Sequence, residues 1–123
     1  YVHTITDMPW PVTDRDLVSH VIWRQNPETL VVTMQGNATT DKLEENDGIV
    51  RLTAAQVNWQ LTPLENSSVK VVLEAHINPA SLLPSWITNR LLVDSPYNSM
   101  EGLRQRVKHE LYQAVSLSYI REI

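Results

Sequence analysis

The chain has no cysteine. Disulfides, thiolate metal sites and a cysteine nucleophile are therefore all excluded, while the compartment stays open because reducing and oxidising compartments both tolerate such chains. Glycine occurs only at 36, 48 and 102. With glycines so placed, neither a phosphate-cradling loop nor a dinucleotide fingerprint can be written, and no G-x-S-x-G elbow exists. Basic residues are in deficit: Lys and Arg number 10 against 14 Asp and Glu, for a formal charge of −4 and a pI near 5.5. Phosphate binding needs a clustered basic surplus, so a nucleic-acid partner is not expected. No apolar run approaches the roughly 20 residues that span a bilayer, and no charged-then-apolar targeting segment opens the chain. A length of 123 residues fits one domain with one core.

What the chain does hold is a succession of strand patterns followed by one long helical signal. Residues 1–5 (YVHTI) read as a short strand, and the two prolines around Trp10 make a rigid corner. In residues 17–25 the set Leu17, Ser19, Val21 and Trp23 is the better core face. Residues 26–28 are turn chemistry, and a strand resumes from Leu30 to Ala38 with Leu30, Val32 and Met34 on one side. Residues 49–61 read as one long strand that places Ile49, Arg51, Thr53, Ala55, Val57, Trp59 and Leu61 together. The cleanest alternation is Val69, Val71, Leu73, Ala75 and Ile77 against Lys70, Glu74 and His76. Short turns make these five strands an antiparallel meander in sequence order.

From Pro84 onward the pattern is helical. Met100, Leu103, Val107, Leu111 and Ala114/Val115 recur at steps of three and four, one stripe along a helix. Ser95-Pro96 reads as a fresh N-cap with proline in the first turn, which sets a break near Asp94. The expected fold class is α+β, a helix-grip in which a curved antiparallel meander packs on a long C-terminal helix.

Candidate chemistry is sparse. His20 and His76 could share the polar side with Glu74, but their strands are three apart, roughly 14 Å at about 4.8 Å per strand, whereas metal bonds are close to 2 Å. Solvated surface histidines are the simpler reading. Asp14-Arg15-Asp16 could be read as an acid pair for catalysis, but adjacent residues on an extended chain point to opposite sides, and a local ion pair closing the proline corner is the expected reading. Arg51 and Thr53 lie on the apolar side of the long strand. A buried guanidinium is costly unless paired, so Arg51 either sits at the rim, or in a structural pair, or anchors a ligand. Arg104, Arg106, Lys108 and His109 form a basic cluster on the helix, read either as a solvated face suited to the helix dipole or as a contact for anionic lipid headgroups.

Three phrases taken in order resemble the steroidogenic-acute-regulatory-protein-related lipid transfer (START) domains. They are residues 10–18 (WPVTDRDLV), 48–52 (GIVRL) and 77–92 (INPASLLPSWITNRLL), followed by the helix with Leu103 and Arg104. They are similar to the family's proline-RDFV corner, its G-V-I-R strand start and its D-P-G-G-x-x-P-x-W-L-x-N segment. The chain departs from the pattern at Ala80-Ser81, where the family carries a glycine pair. The resemblance covers the C-terminal part of such a domain, so all of residues 1–123 are expected to be that part, with further residues or a second chain completing the sheet at its residue 1–5 edge.

The resemblance implies binding of a single lipid or sterol-like molecule in a cavity between sheet and C-terminal helix, for carriage or sensing, without chemistry, cofactor or metal. Met34, Thr53, Ala55, Val57, Leu73 and Ala75 are expected to line it, with Arg51 as a polar contact and Leu103 and Val107 closing it. The helix is expected to touch a membrane transiently. Two alternatives stay open: an enzyme of the related polyketide-cyclase and aromatase branch, which needs acid–base groups inside the cavity, and a regulatory ligand-sensing module of a larger protein.

Overall fold

The computed structural model describes residues 1–122. They form two units, Tyr1–Leu82 and Leu83–Ile123.

The first unit is a curled sheet. Its strands are β1 (Val2–Thr6), β2 (Arg15–Gln25), β3 (Val32–Ala38), β4 (Val50–Arg51), β5 (Ala55–Pro63) and β6 (Val69–Ile77), in the order β1-β2-β3-β5-β6 with β4 paired to β2. The expected antiparallel meander is therefore present, with one correction. The long strand 49–61 is broken: Leu52 to Ala54 leave the ladder, and β4 runs parallel to β2 while β5 turns away to pair with β3. β2 is consequently flanked on both edges along its first half, by β1 at Val2↔Ser19 to Thr6↔Arg15 and by β4 at Arg15↔Val50 and Asp16↔Arg51. The strand expected to start at Leu30 starts at Val32; Leu30 sits in the turn with φ 59°, its N–H bonded back to Asn26 O at 2.9 Å.

The break has a physical cause in Arg51. Asp16 and Arg51 face each other across the parallel pair, and their side chains meet in a two-pronged bond, Nε to Oδ1 at 2.8 Å and Nη2 to Oδ2 at 2.9 Å. The remaining guanidinium edges donate to Leu43 O at 2.9 Å and Glu44 O at 3.1 Å, which ties the loop of residues 39–49 over the pair. His3 Nε2 lies 2.9 Å from Asp16 Oδ2. Both partners are almost fully buried, as is Val18 beside them. The Arg51 bond holds the Asp16 carboxyl below its ordinary value, against the opposing effect of burial and with help from His3; Arg51 is raised in turn by Asp16. The local ion pair expected in 14–16 does not form. Asp14 instead accepts from the Met8 N–H at 2.7 Å, closing the proline corner through the backbone, and Arg15 turns to the opposite face from Asp16.

The second unit contains α1 (Ser85–Asn89), a π turn (Arg90–Asp94), α2 (Ser95–Arg106) and α3 (Glu110–Gln113). Pro84, extended at ψ 145°, precedes α1, and its carbonyl accepts from Ile87 and Thr88. The expected break near Asp94 is absent: Asp94 and Ser95 are both helical, at φ −70° and −66°. Pro96 brings no N–H and crowds the carbonyl four residues back, and the wider π turn just before it accommodates that mismatch. The expected single stripe also divides. Val107 ends α2, and His109 is extended at ψ 135° with its Nδ1 accepting from Leu111 N, so Leu111 and Val115 belong to a different segment from Met100 and Leu103.

Two outcomes follow. Asp16→Asn leaves Arg51 buried without its counter-charge and is expected to cost about 3 kcal/mol in denaturant unfolding at pH 7. Because the folded Asp16 carboxyl lies below its unfolded value of 3.8, its stabilisation is present above that value and is lost as pH falls through it towards the folded one; the difference between wild type and variant should shrink between about pH 5 and pH 2. Separately, Ala80 holds φ 67°, with its N–H bonded to Asn78 Oδ1 at 3.0 Å. A side chain is disfavoured there, so Ala80→Gly should raise stability by on the order of 1 kcal/mol despite glycine's larger unfolded-state entropy.

Candidate functional site

The registers assemble one apolar face from alternate residues of successive strands. Val21, Gly36, Val57 and Ala75 lie in one cross-strand row, and Trp23, Met34, Trp59 and Leu73 in the next. Val32, Leu61 and Val71 continue it on one side, and Ala55 opposite Ile77 on the other. The opposite face carries Ile22, Gln35, Asn58 and Glu74 in register, and a shallow hollow of about 250 Å³ lies among Thr33, Gln35, Asn58, Gln60, Val72 and Glu74.

The face is shaped by small residues in its middle. Gly36 is buried between Val21 and Val57, and a Cβ built on it would meet Val21 Cγ2 at 3.7 Å and Val57 O at 3.8 Å, an ordinary contact. A longer side chain would project over the face. With Ala75 in the same row, the centre is a shallow trough flanked by the tryptophans. None of Val21, Met34, Val57, Trp59 or Leu73 is fully buried, and Trp23 is 54% exposed. The fully enclosed apolar residues of the sheet, Val18 and Leu52, belong to neither of these two rows.

Of the residues expected to line a cavity, Met34, Ala55, Val57, Leu73 and Ala75 are brought together here. Two are not. Thr53 lies in the break between β4 and β5 and is exposed. Arg51 takes the structural-pair reading: its donors are spent on Asp16 and two carbonyls on the far face, which leaves none aimed at the apolar rows. Leu103 lies in α2 and is half-buried, while Val107, the C-cap just past Arg106, is 52% exposed. Residues 23, 36 and 59 were not among the expected lining. The signal for them was the alternation itself, since Trp23 and Trp59 fall in the apolar sets of their strands, but only the register shows that they meet Met34 in one row.

Among the described residues no group of three or more His, Asp or Glu could hold a metal ion. His20 stacks on Tyr1 at 4.8 Å and His76 lies 3.4 Å from Glu74, both at the surface. Among the described residues no helix is long and apolar enough to cross a membrane.

No family model matches the chain. It is 32% identical over 104 residues to an uncharacterized protein of Pseudomonas aeruginosa, covering 85% of this chain and 51% of that protein. It superposes on the crystal structure of a STAR-related lipid transfer protein from Xanthomonas axonopodis with a TM-score of 0.73 and 29% identity, covering 87% of this chain and 59% of that one. The chain thus spans about half the length of the curated relative it matches. The curled antiparallel sheet with C-terminal helix is a START-like, helix-grip α+β fold.

Proposed function

We propose that the apolar face is one wall of a cavity that holds a single lipid or sterol-like molecule, for carriage or sensing. The observation that carries this is the pair of cross-strand rows, Val21-Gly36-Val57-Ala75 and Trp23-Met34-Trp59-Leu73, apolar from end to end yet not enclosed. Apolar patches of this extent are costly in water and mark binding surfaces. Each Leu, Met or Val side chain moved from water into contact contributes about 1.5–3 kcal/mol, so contacts along both rows together are needed to offset the entropy of association. Similarity to a lipid transfer protein supports the same reading. In it, both units belong to one START-like domain, with Met34, Ala55, Val57, Leu73 and Ala75 as the wall.

The last turn of α2 carries Arg104 and Arg106, followed by Lys108. Only Arg104 has an acidic neighbour within its helix, Glu101 at 3.8 Å, an exposed pair of little energetic value. The proposal extends to a transient contact between this basic segment and an anionic membrane during exchange of the ligand.

Native mass spectrometry of the purified protein with lipid extraction tests the first reading: a co-purified lipid, or saturable one-to-one uptake of a fluorescent sterol, fatty acid or phospholipid, is expected, and neither being seen would sink it. Gly36→Leu should fill the trough and reduce uptake at least tenfold at unchanged secondary structure, whereas Gly36→Ala should bind within about twofold of wild type. For the membrane contact, Arg104→Glu with Lys108→Glu should lower binding to phosphatidylserine vesicles by at least tenfold, from about 1 kcal/mol per basic residue near the surface, and leave binding to neutral vesicles unchanged.

A further inference from the structure

Arg15 is a second buried arginine, only 5% exposed, and its situation is the reverse of that of Arg51. Among the described residues no carboxylate lies within ion-pair distance of it. Its Nη1 donates to Thr13 O and its Nη2 to Ser81 Oγ at 2.6 Å, both neutral acceptors, and its Nε is buried with no partner at all. A guanidinium stays charged at any ordinary pH, and an enclosed cation without a counter-charge is unfavourable by several kcal/mol. The acidic neighbours in sequence are engaged elsewhere, Asp14 with the Met8 N–H and Asp16 with Arg51 on the far face.

Its place in the fold gives this vacancy a meaning. Arg15 opens β2 on the same side as Leu17, Ser19, Val21 and Trp23, so it stands at one end of the apolar face. From Arg15 to Trp23 the strand runs about 27 Å at about 3.4 Å per residue, long enough for an extended long-chain acyl tail. Ser81 follows β6, three strands across the sheet from β2, yet its hydroxyl reaches Arg15; the curl of the sheet brings the two together. Ser81 is itself exposed, so one of the two partners of the guanidinium meets solvent.

We propose that Arg15, with Ser81, is the head-group site of the ligand, and that the ligand is a carboxylate-headed amphiphile of the long-chain fatty acid class. The inference rests on the apolar-wall reading above and adds the chemistry of the head. A carboxylate takes the Nε and Nη2 edge of Arg15 side-on, the geometry in which guanidinium and carboxylate form two parallel bonds. The Ser81 hydroxyl then turns from acceptor to donor. The tail runs along Leu17, Val21 and the trough at Gly36.

The test is titration calorimetry of the full chain at pH 8 with oleate, oleyl alcohol and oleoyl lysophosphatidate, each below its micellar concentration. Wild type should bind oleate at least tenfold more tightly than oleyl alcohol, and at least as tightly as the lysophosphatidate. Arg15→Met should weaken oleate at least tenfold and leave oleyl alcohol within about twofold; Ser81→Ala should weaken oleate by a smaller factor. Equal affinity of wild type for oleate and oleyl alcohol, or an equal loss of both in Arg15→Met, overturns the head-group site while the cavity reading stands. Tighter binding of the lysophosphatidate overturns the carboxylate assignment. If none of the three binds, the head-group site and the fatty-acid assignment are overturned, while the cavity reading is decided separately by the sterol and phospholipid uptake described above. Should Arg15→Met not fold by circular dichroism, the wild-type preference between oleate and oleyl alcohol decides the matter alone.

Discussion

The Asp16–Arg51 pair is the constraint on which the first unit depends. A guanidinium is costly in an apolar row without an anion beside it, and the carboxylate that Arg51 meets is Asp16 on β2. Meeting it requires residues 50–51 to lie alongside Asp16, parallel to β2, and requires the chain to leave the ladder before β5 begins. The same guanidinium ties the 39–49 loop to β4 through the Leu43 and Glu44 carbonyls. One ion pair thus fixes the position of β4, and it turns the charge of Arg51 away from the apolar face.

That placement separates two arginines by role. Arg51 is satisfied on every side that matters and contributes to stability alone. Arg15, one residue from Asp16 and on the other side of the strand, has only neutral oxygen acceptors. Two adjacent positions of β2 therefore place an acid in a finished pair and a cation in an unfinished one. A surface that is apolar along its length, with a single cation at its end, matches the polarity of an amphiphile with an anionic head.

Much of the sheet was legible in the chain because alternation is a local property. The set Val69, Val71, Leu73, Ala75 and Ile77 needs no partner to be recognised, and β5 and β6 keep the faces their patterns indicate. The expected lining residues Met34, Ala55, Val57, Leu73 and Ala75 follow from the same period of two. Helical residues after Pro84 were likewise legible, as was the departure at Ala80, where the left-handed backbone explains the glycine that the resembling family places there.

What alternation could not supply was the break at residues 52–54, because an unbroken run of β-forming residues gives no local signal of where a distant carboxylate will interrupt it. The same holds for Thr53, which the period placed on the apolar face and the break removed. Pro96 reads locally as a helix start; only the continuous helical backbone with its π turn shows it accommodated inside. The sequence by itself determined which residues alternate, which segments coil and which classes of chemistry are absent, all set by neighbours a few residues apart. Tertiary structure alone decided which arginine is neutralised and which is left facing the apolar wall, since that depends on a pairing 35 residues apart and a curl that brings together groups 66 residues apart.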